Sequence, residues 1–105
     1  MNLPPYPDKK NTKGHLTDID GKHRSFTIMD EIMRPQSGYP QKSIHLQKIE
    51  FDDTKVVEYR LAYYIIGKKP TVAGKWVFGQ YATLLPAEDL AYIFAEAKKK
   101  GWINL

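Results

Sequence analysis

The stretch from residue 56 to residue 66 reads VVEYRLAYYII and decides the predicted fold. Its odd positions are apolar or aromatic throughout: Val57, Tyr59, Leu61, Tyr63 and Ile65. Its even positions carry Glu58 and Arg60 in the middle. Alternation with a period of two predicts a β-strand whose odd side chains face the core. Glu58 and Arg60 should then face solvent or a ligand, and the length of the run indicates a curved sheet.

A second strand is predicted upstream, from Ser43 to Phe51. Ile44 and Leu46 share one parity, whereas the apolar residues that follow have the other. We expect a β-bulge near Gln47-Lys48 to return both pairs to the same face. Residues 52–55 (DDTK) then form a turn into the next strand.

Downstream, residues 67–75 (GKKPTVAGK) form a basic loop, and Trp76 to Leu85 predicts a further strand. Gly79 lies in the middle of that strand, where a missing side chain indicates a bend, a bulge or a close approach.

The first 40 residues carry weaker patterns. Residues 15–32 predict a hairpin around the turn pair Asp20-Gly21. Residues 29–34 could instead form a short helical turn. Two prolines and one glycine predict a loop over residues 34–40.

The chain ends in a predicted helix that Pro86 opens, since its missing N–H is unpaired there in any case. Acidic residues in the first turn and lysines 98–100 in the last complement the helix dipole. Gly101 supplies a left-handed C-cap, and Trp102 folds back as in a Schellman motif. The predicted buried stripe is Leu90, Ile93, Phe94 and Ala97.

These elements predict an α+β fold: an antiparallel sheet of four to five strands followed by one C-terminal helix packed on it. A chain of 105 residues supports one domain. We expect residues 1–14, with three prolines and a run of lysines, to form a flexible basic arm, and residues 15–105 to form a single domain.

The composition narrows the possible functions. The absence of Cys excludes disulfides, thiol catalysis and zinc sites built on Cys pairs. Sixteen Lys and Arg against twelve Asp and Glu give a net charge of +4, which favours an anionic partner. There is no run of about 18 apolar residues and no apolar core of a signal peptide. We therefore expect a cytoplasmic protein with no membrane partner.

A catalytic or metal-binding pattern is not recognisable. Residues 73–75 (AGK) resemble the end of a phosphate-binding Walker loop, but Lys69 stands where its first glycine belongs and Trp76 where Ser or Thr belongs. The three histidines, His15, His23 and His45, lack metal spacing. We expect no catalytic residues, no metal and no cofactor, with an enzyme of unrecognised site as one alternative.

A basic and aromatic constellation is the most suggestive chemical feature. The predicted nucleic-acid-binding residues are Arg60, Tyr64, Lys68, Lys69, Lys75 and Trp76. Cations can track phosphates while rings stack on bases, at roughly 1–3 kcal/mol per base. Alternatively, the rings are core and the lysines keep a hairpin tip soluble.

The chain from residue 43 to residue 100 resembles the Whirly and positive-cofactor-four superfamily of single-stranded-DNA-binding proteins. The segments that carry the resemblance are KIEF (48–51), VEYR (57–60), the loop 67–75 and LLPAEDL (84–90). The resemblance implies a curved antiparallel sheet before a helix, a helix that mediates dimerisation, and a sheet face or loops that hold single-stranded nucleic acid.

The expected function is therefore non-catalytic binding of single-stranded DNA or RNA, through the basic loop and exposed aromatic rings on a curved sheet. A homodimer is expected, because one helix cannot cover both faces of so apolar a sheet. The main alternative is a protein-interaction or self-assembly module that uses the same aromatic face.

Overall fold

The computed structural model describes residues 3–79 and 81–104. Within these residues, five strands form one antiparallel sheet in chain order, followed by one helix. The strands are β1 (Lys13–Thr17), β2 (His23–Gln36), β3 (Tyr39–Phe51), β4 (Val57–Ile66) and β5 (Trp76–Phe78), and the helix is α1 (Ala87–Lys99). The predicted α+β class, with an antiparallel sheet and a C-terminal helix, is confirmed.

The β2–β3 hairpin is longer than predicted. β2 continues through residues 29–34, so the alternative of a helical turn there is wrong. The loop predicted over residues 34–40 is also wrong, because Gln36 already pairs with Tyr39 and the turn is confined to Ser37 and Gly38. Gly38 has a φ of 79°, which glycine adopts without strain. Pro35 pairs with Ser43, and residues 40–42 of β3 have no partner in β2, so the prolines shift the register without ending the strands.

The β-bulge that was predicted near Gln47-Lys48 of β3 lies in the partner strand β2 instead. Met29 is the extra residue there, between Ile28, which pairs with Ile49, and Asp30, which pairs with Lys48. β3 pairs with β4 without interruption through the position where the bulge was predicted. The two halves of β3 consequently send their apolar side chains to opposite faces of the sheet.

The sheet therefore has a core on each face. The core on the arm face, named for the N-terminal segment that lies on it, contains Phe26, Ile28, Ile49 and Phe51, with Leu16 packed against them. The core on the helix face contains Ile32, Ile44, Ile93 and Ala97, with Leu46, Leu85, Trp102 and Ile103 packed against them.

The end of α1 is a Schellman motif, as predicted. Gly101 has a φ of 74°, and its N–H donates to the carbonyl of Lys98 at 3.0 Å. The N–H of Trp102 donates to the carbonyl of Ala97 at 2.9 Å. Pro86 occupies the N-cap, one residue before the helix begins. No helix in the described ranges is long and apolar enough to cross a membrane.

The buried stripe of α1 differs from the prediction. Ile93 and Ala97 are buried, but Leu90 and Phe94 are exposed. Asp89 is wholly buried in their place. α1 packs on β2 and β3, so its buried side is narrower than its apolar side.

β4 reverses the predicted burial. Four of its five odd-numbered side chains are exposed, whereas Ala62 and Tyr64 at even positions are buried. The odd side chains do point to the helix face, but α1 lies over the neighbouring strands and leaves them uncovered. The alternation correctly separated the two faces and wrongly assigned the core.

β5 is also shorter than the predicted strand, which ran from residue 76 to residue 85. It ends at Phe78, and Gly79 then packs against the ring of Tyr63. A Cβ atom on Gly79 would lie 2.0 Å from Tyr63 Cε2, so a side chain has no room there. From this contact the chain leaves the sheet toward α1.

Residues 3–12, called the arm from here on, contain no helix or strand and lie against the sheet, whereas Lys13 and Gly14 of the predicted arm belong to β1. The N–H of Asn11 donates to the carbonyl of Ile28 at 2.7 Å, and Ile28 donates back to Thr12 at 2.9 Å. Closer to the N-terminus, the Tyr6 hydroxyl donates to the carbonyl of Pro40 at 3.0 Å. The arm thus covers one side of the sheet.

Candidate nucleic-acid interface

A groove of about 390 Å³ lies on the arm face, between the arm, β1 and the strands β4 and β5. Its lining combines cationic and aromatic side chains: Lys9, Lys13, His15, Phe26, Arg60, Tyr64, Trp76 and Phe78. Three of the six predicted site residues therefore meet here, namely Arg60, Tyr64 and Trp76.

Arg60 lies between two aromatic rings. Its guanidinium carbon is 4.9 Å from the centroid of Phe26 and 4.8 Å from that of Phe78. Nε and Nη2 both donate to Gln47 Oε1, at 3.0 and 2.8 Å. Within the described residues Nη1 has no protein acceptor, so it remains available to a ligand in the groove. Burial lowers the pKa of the guanidinium, although an arginine stays charged in proteins.

A buried polar network beneath the groove holds Arg60 in place. Gln47 Nε2 donates to Glu31 Oε2 at 2.7 Å and to the Tyr64 hydroxyl at 3.3 Å. His45 Nδ1 lies 2.8 Å from the same carboxylate oxygen. Burial acts to raise the pKa of Glu31, but these hydrogen bonds outweigh it and the pKa is lowered. A fixed carboxylate therefore orients Gln47, and Gln47 orients Arg60.

Ser43 extends this network into a chain of three groups. Its Oγ lies 2.6 Å from His45 Nε2, while Nδ1 of the same ring faces the Glu31 carboxylate. A carboxylate only accepts hydrogen bonds, so Nδ1 carries the proton. The order of serine, histidine and acid is that of a nucleophilic relay. Ser43 and His45 are wholly buried, so no substrate reaches them in this conformation.

Tyr64 forms part of the floor of the groove. Its ring packs edge-on against His45 and Phe78, with centroids 4.7 and 5.5 Å away. The Lys9 ammonium lies 5.5 Å from the Tyr64 ring centroid. Burial raises the pKa of the Tyr64 hydroxyl, so the group stays neutral and can donate a hydrogen bond.

The arm closes one end of the groove over Trp76. Trp76 Nε1 donates to the carbonyl of Pro4 at 3.3 Å, and its ring lies 5.1 Å from that of Tyr6. Further along the arm, the N–H of Lys9 donates to Glu31 Oε1 at 3.0 Å. The arm is therefore anchored both to the rim of the groove and to the network beneath it.

The other three predicted site residues lie outside the groove, in the loop between β4 and β5. Lys68 and Lys69 line a neighbouring depression of about 500 Å³, and Lys75 is exposed at the end of the loop. Phe78 lines both the groove and this depression, but Ile65 and Val77, which have the parity of the helix face, line only the depression, so it lies around the β5 edge from the groove. The loop is closed by a hydrogen bond of 2.8 Å from the N–H of Gly67 to the carbonyl of Lys75.

Five of the groove residues named above were missing from the predicted site: Lys9, Lys13, His15, Phe26 and Phe78. The basic run of residues 9–13 was visible in the sequence but was interpreted as part of a free arm. The position of this run beside the groove follows from the pairing of β1 with β2, which the run itself does not indicate. Lys13 is also partly neutralised, because its ammonium lies 2.9 Å from Asp52 Oδ1.

Within residues 3–79 and 81–104, no group of three or more His, Cys, Asp or Glu side chains is arranged to hold a metal ion. No protein-family model, no curated protein and no solved structure matches this chain.

Proposed function

We propose that the protein binds single-stranded nucleic acid in the groove on the arm face. The observation that carries this proposal is Arg60, held between Phe26 and Phe78 with one guanidinium nitrogen directed at no protein acceptor in the described chain. An oriented cation flanked by rings binds a phosphate while neighbouring rings contact bases.

The aromatic rings favour a single strand over a duplex. Phe78 is 46% exposed where the groove meets the loop depression, and Trp76 lies beside it on β5. A ring of this kind stacks on the face of an unpaired base, which a duplex does not present. The predicted contact through exposed aromatics therefore rests mainly on Phe78, with Trp76 partly engaged by the arm.

The cations extend beyond the groove. Lys9 and Arg60 line it, and the loop lysines continue the positive charge past Phe78. In the described chain, Lys68, Lys69 and Lys75 form no ion pair, so their charge is not neutralised within the protein. A backbone of phosphates would follow this line from groove to loop.

The test is a fluorescence-anisotropy titration with a labelled single-stranded oligonucleotide at low and moderate salt. Affinity should fall steeply as salt rises, because each neutralised phosphate releases counterions. A duplex of the same sequence should bind more weakly. A folded protein that binds neither probe at low salt would overturn the proposal.

The paired substitution Lys68→Ala with Lys69→Ala should weaken binding and flatten the salt slope by about one to two phosphate contacts. The matched control is Lys98→Ala with Lys99→Ala, an adjacent pair of exposed lysines at the end of α1. Equal losses in the two variants would show that only net charge matters and would remove the loop from the interface.

Phe78→Ala tests the stacking contact directly. Loss of one stacked base should weaken binding by roughly 5- to 150-fold, which corresponds to about 1–3 kcal/mol. The salt slope should stay unchanged, because no cation is removed. The rival function, docking of a protein partner on the same aromatic surface, predicts instead an affinity that responds little to salt.

A further inference from the structure

β4 has an open outer edge. β5 pairs with only its last three residues, Tyr64 to Ile66. In the described part of the chain no strand pairs with the outer edge of residues 57–62. An unpaired strand edge is a template for adding another strand.

The backbone direction along this edge can be read from the strand's far end. The carbonyl of Tyr63 accepts a hydrogen bond of 2.8 Å from Gly79, on the β5 side. Successive residues of a strand direct their N–H and C=O groups to opposite sides. Val57, Tyr59 and Leu61 therefore direct theirs outward, away from β3.

The same three residues form an exposed apolar row on the helix face. Val57 is 40% exposed and Leu61 44%. Tyr92 of α1 contacts Arg34 of β2, and the exposed side chains of Leu90 and Phe94 lie on the opposite flank of the helix. A strand that joins the edge would lie alongside the apolar row of Val57, Tyr59 and Leu61.

We propose that this edge pairs with a second copy of the same chain, β4 against β4 in antiparallel orientation, about a two-fold axis at Tyr59. The argument for this occupant is the self-complementarity of residues 57–61, VEYRL. Centred on Tyr59, the pairing sets Glu58 of each copy opposite Arg60 of the other and Val57 opposite Leu61. Opposite charges are favourable as cross-strand neighbours. The Arg60 guanidinium keeps its bonds to Gln47 in the groove, so its charge attracts Glu58 of the second copy without a direct ion pair.

The backbone N–H and C=O groups are compatible with the same two-fold axis at Tyr59. Tyr59 would pair with its own counterpart through two hydrogen bonds, and Val57 with Leu61 twice over, on the order of six bonds in all. Each of these residues directs its polar backbone groups outward, as this arrangement requires. The pairing is isologous, so it closes as a dimer and does not propagate into a fibre.

Two-fold axes at the neighbouring residues of β4 are unfavourable. A two-fold at Glu58 places two carboxylates opposite each other, and one at Arg60 places two guanidinium groups opposite each other. A two-fold at Leu61 would draw in Ile65, whose outward groups already pair with Val77 of β5. Glu58 forms no ion pair within residues 3–79 and 81–104, so its charge is free for the second copy.

The first test is sedimentation of the full chain without nucleic acid, which makes the result independent of the proposed function. The wild-type protein should be a dimer that dissociates on dilution. Leu61→Lys should shift it to monomer, since an edge lysine opposes strand addition. Ile19→Lys, the same kind of change on a fully exposed residue of the β1–β2 turn, should remain dimeric.

A charge-exchange experiment tests the register. Glu58→Arg alone sets two like-charged pairs across the interface and should raise the dimer dissociation constant roughly 100-fold. Arg60→Glu should do the same with the opposite sign, once circular dichroism has shown that it folds without its bonds to Gln47. An equimolar mixture of the two variants restores both pairs and should form heterodimers.

A wild-type protein that stays monomeric at high concentration would overturn the proposal and leave the edge for a foreign strand. A dimer that survives Leu61→Lys would place the interface elsewhere. Failure of two folded variants to associate when mixed would reject the register centred on Tyr59.

Discussion

The two faces of the sheet each bury a carboxylate, and they do so in different ways. On the arm face, Glu31 is surrounded by His45, Gln47 and a backbone N–H, in a network that ends at a groove. On the helix face, Asp89 accepts hydrogen bonds from Arg34 Nε at 2.5 Å and from the Ser37 N–H and hydroxyl at 2.9 and 2.6 Å. One network orients a side chain that lines the groove, whereas the other fastens a helix to a hairpin turn.

This difference shows that burial depends on what lies over a face and not on how apolar the face is. The arm, with little regular structure, covers polar and aromatic side chains on one side. The helix covers β2 and β3 on the other side and leaves the most apolar row of β4 open. The covered face therefore carries a groove with cationic and aromatic lining, and the open row lies along an unpaired strand edge.

Removing Glu31 should produce the largest loss of stability. Glu31→Ala leaves His45 Nδ1 without an acceptor and Gln47 without its main one, both in buried positions. The free energy of unfolding in urea should fall by about 3–5 kcal/mol. The control Glu88→Ala, in the exposed first turn of α1, should cost less than about 1 kcal/mol. Similar costs for the two variants would show that the buried network contributes no stability.

On the helix face, substitutions at two neighbouring residues of α1 should differ sharply in how much stability they cost. Ile93→Ala opens a cavity between α1 and the sheet and should cost about 2–5 kcal/mol. Phe94→Ala removes a larger side chain that is 46% exposed and should cost less than about 1 kcal/mol in dilute protein. Thermal unfolding followed by circular dichroism measures both. A larger loss for Phe94→Ala would mean that the predicted stripe, and not the observed one, faces the sheet.

The smallest effect concerns Asp89 and depends on pH. Burial acts to raise the pKa of this carboxyl, but the bonds from Ser37 and Arg34 outweigh it and the pKa is lowered. A depressed native pKa stabilises the fold at neutral pH, and this stabilisation is lost as pH falls from about 4, the ordinary value, through the native value. Asp89→Asn should therefore cost about 1.5–3 kcal/mol at pH 7. The difference from wild type should narrow as the pH falls below about 4.

For that pH series, the matched control is Asp20→Asn, which changes a carboxylate in the exposed β1–β2 turn. This variant leaves the bonds of Asp89 to Ser37 and Arg34 intact, so a pH response shared by both variants would not be due to Asp89. A constant gap between Asp89→Asn and wild type at every pH would show that the ionised carboxylate contributes no more than the neutral amide.

The sequence predicted the fold class and the helix well because those depend on local signals. The alternation of β4 and the Gly101-Trp102 stop act over a few residues, and both are present in the structure. The predicted position of the bulge was wrong. The pattern of β3 indicates one extra residue but does not show whether β3 itself, at residues 47–48, or its partner β2, at Met29, carries it. Pairing between the two strands decides this, and the pattern of a single strand contains no information about its partner.

The candidate site was predicted only in part, because it too depends on contacts between segments that are distant in the sequence. Arg60, Tyr64 and Trp76 come together because β4 and β5 are neighbours in chain order. Lys9 and Lys13 reach them across the sheet, from a segment with no periodicity of its own. A contact of that kind depends on long-range packing, which composition and spacing do not encode.

The two tryptophans of the chain lie on opposite faces of the sheet. Trp76 stacks near Tyr6 of the arm, whereas Trp102 follows the C-cap of α1, 5.4 Å from the ring of Tyr59. Each indole therefore carries a separate optical signal. Intrinsic fluorescence of Trp102→Phe reports the arm and groove, and that of Trp76→Phe reports the helix end and the edge of β4. Changes at the groove and changes at the edge of β4 can thus be followed separately, without an added label.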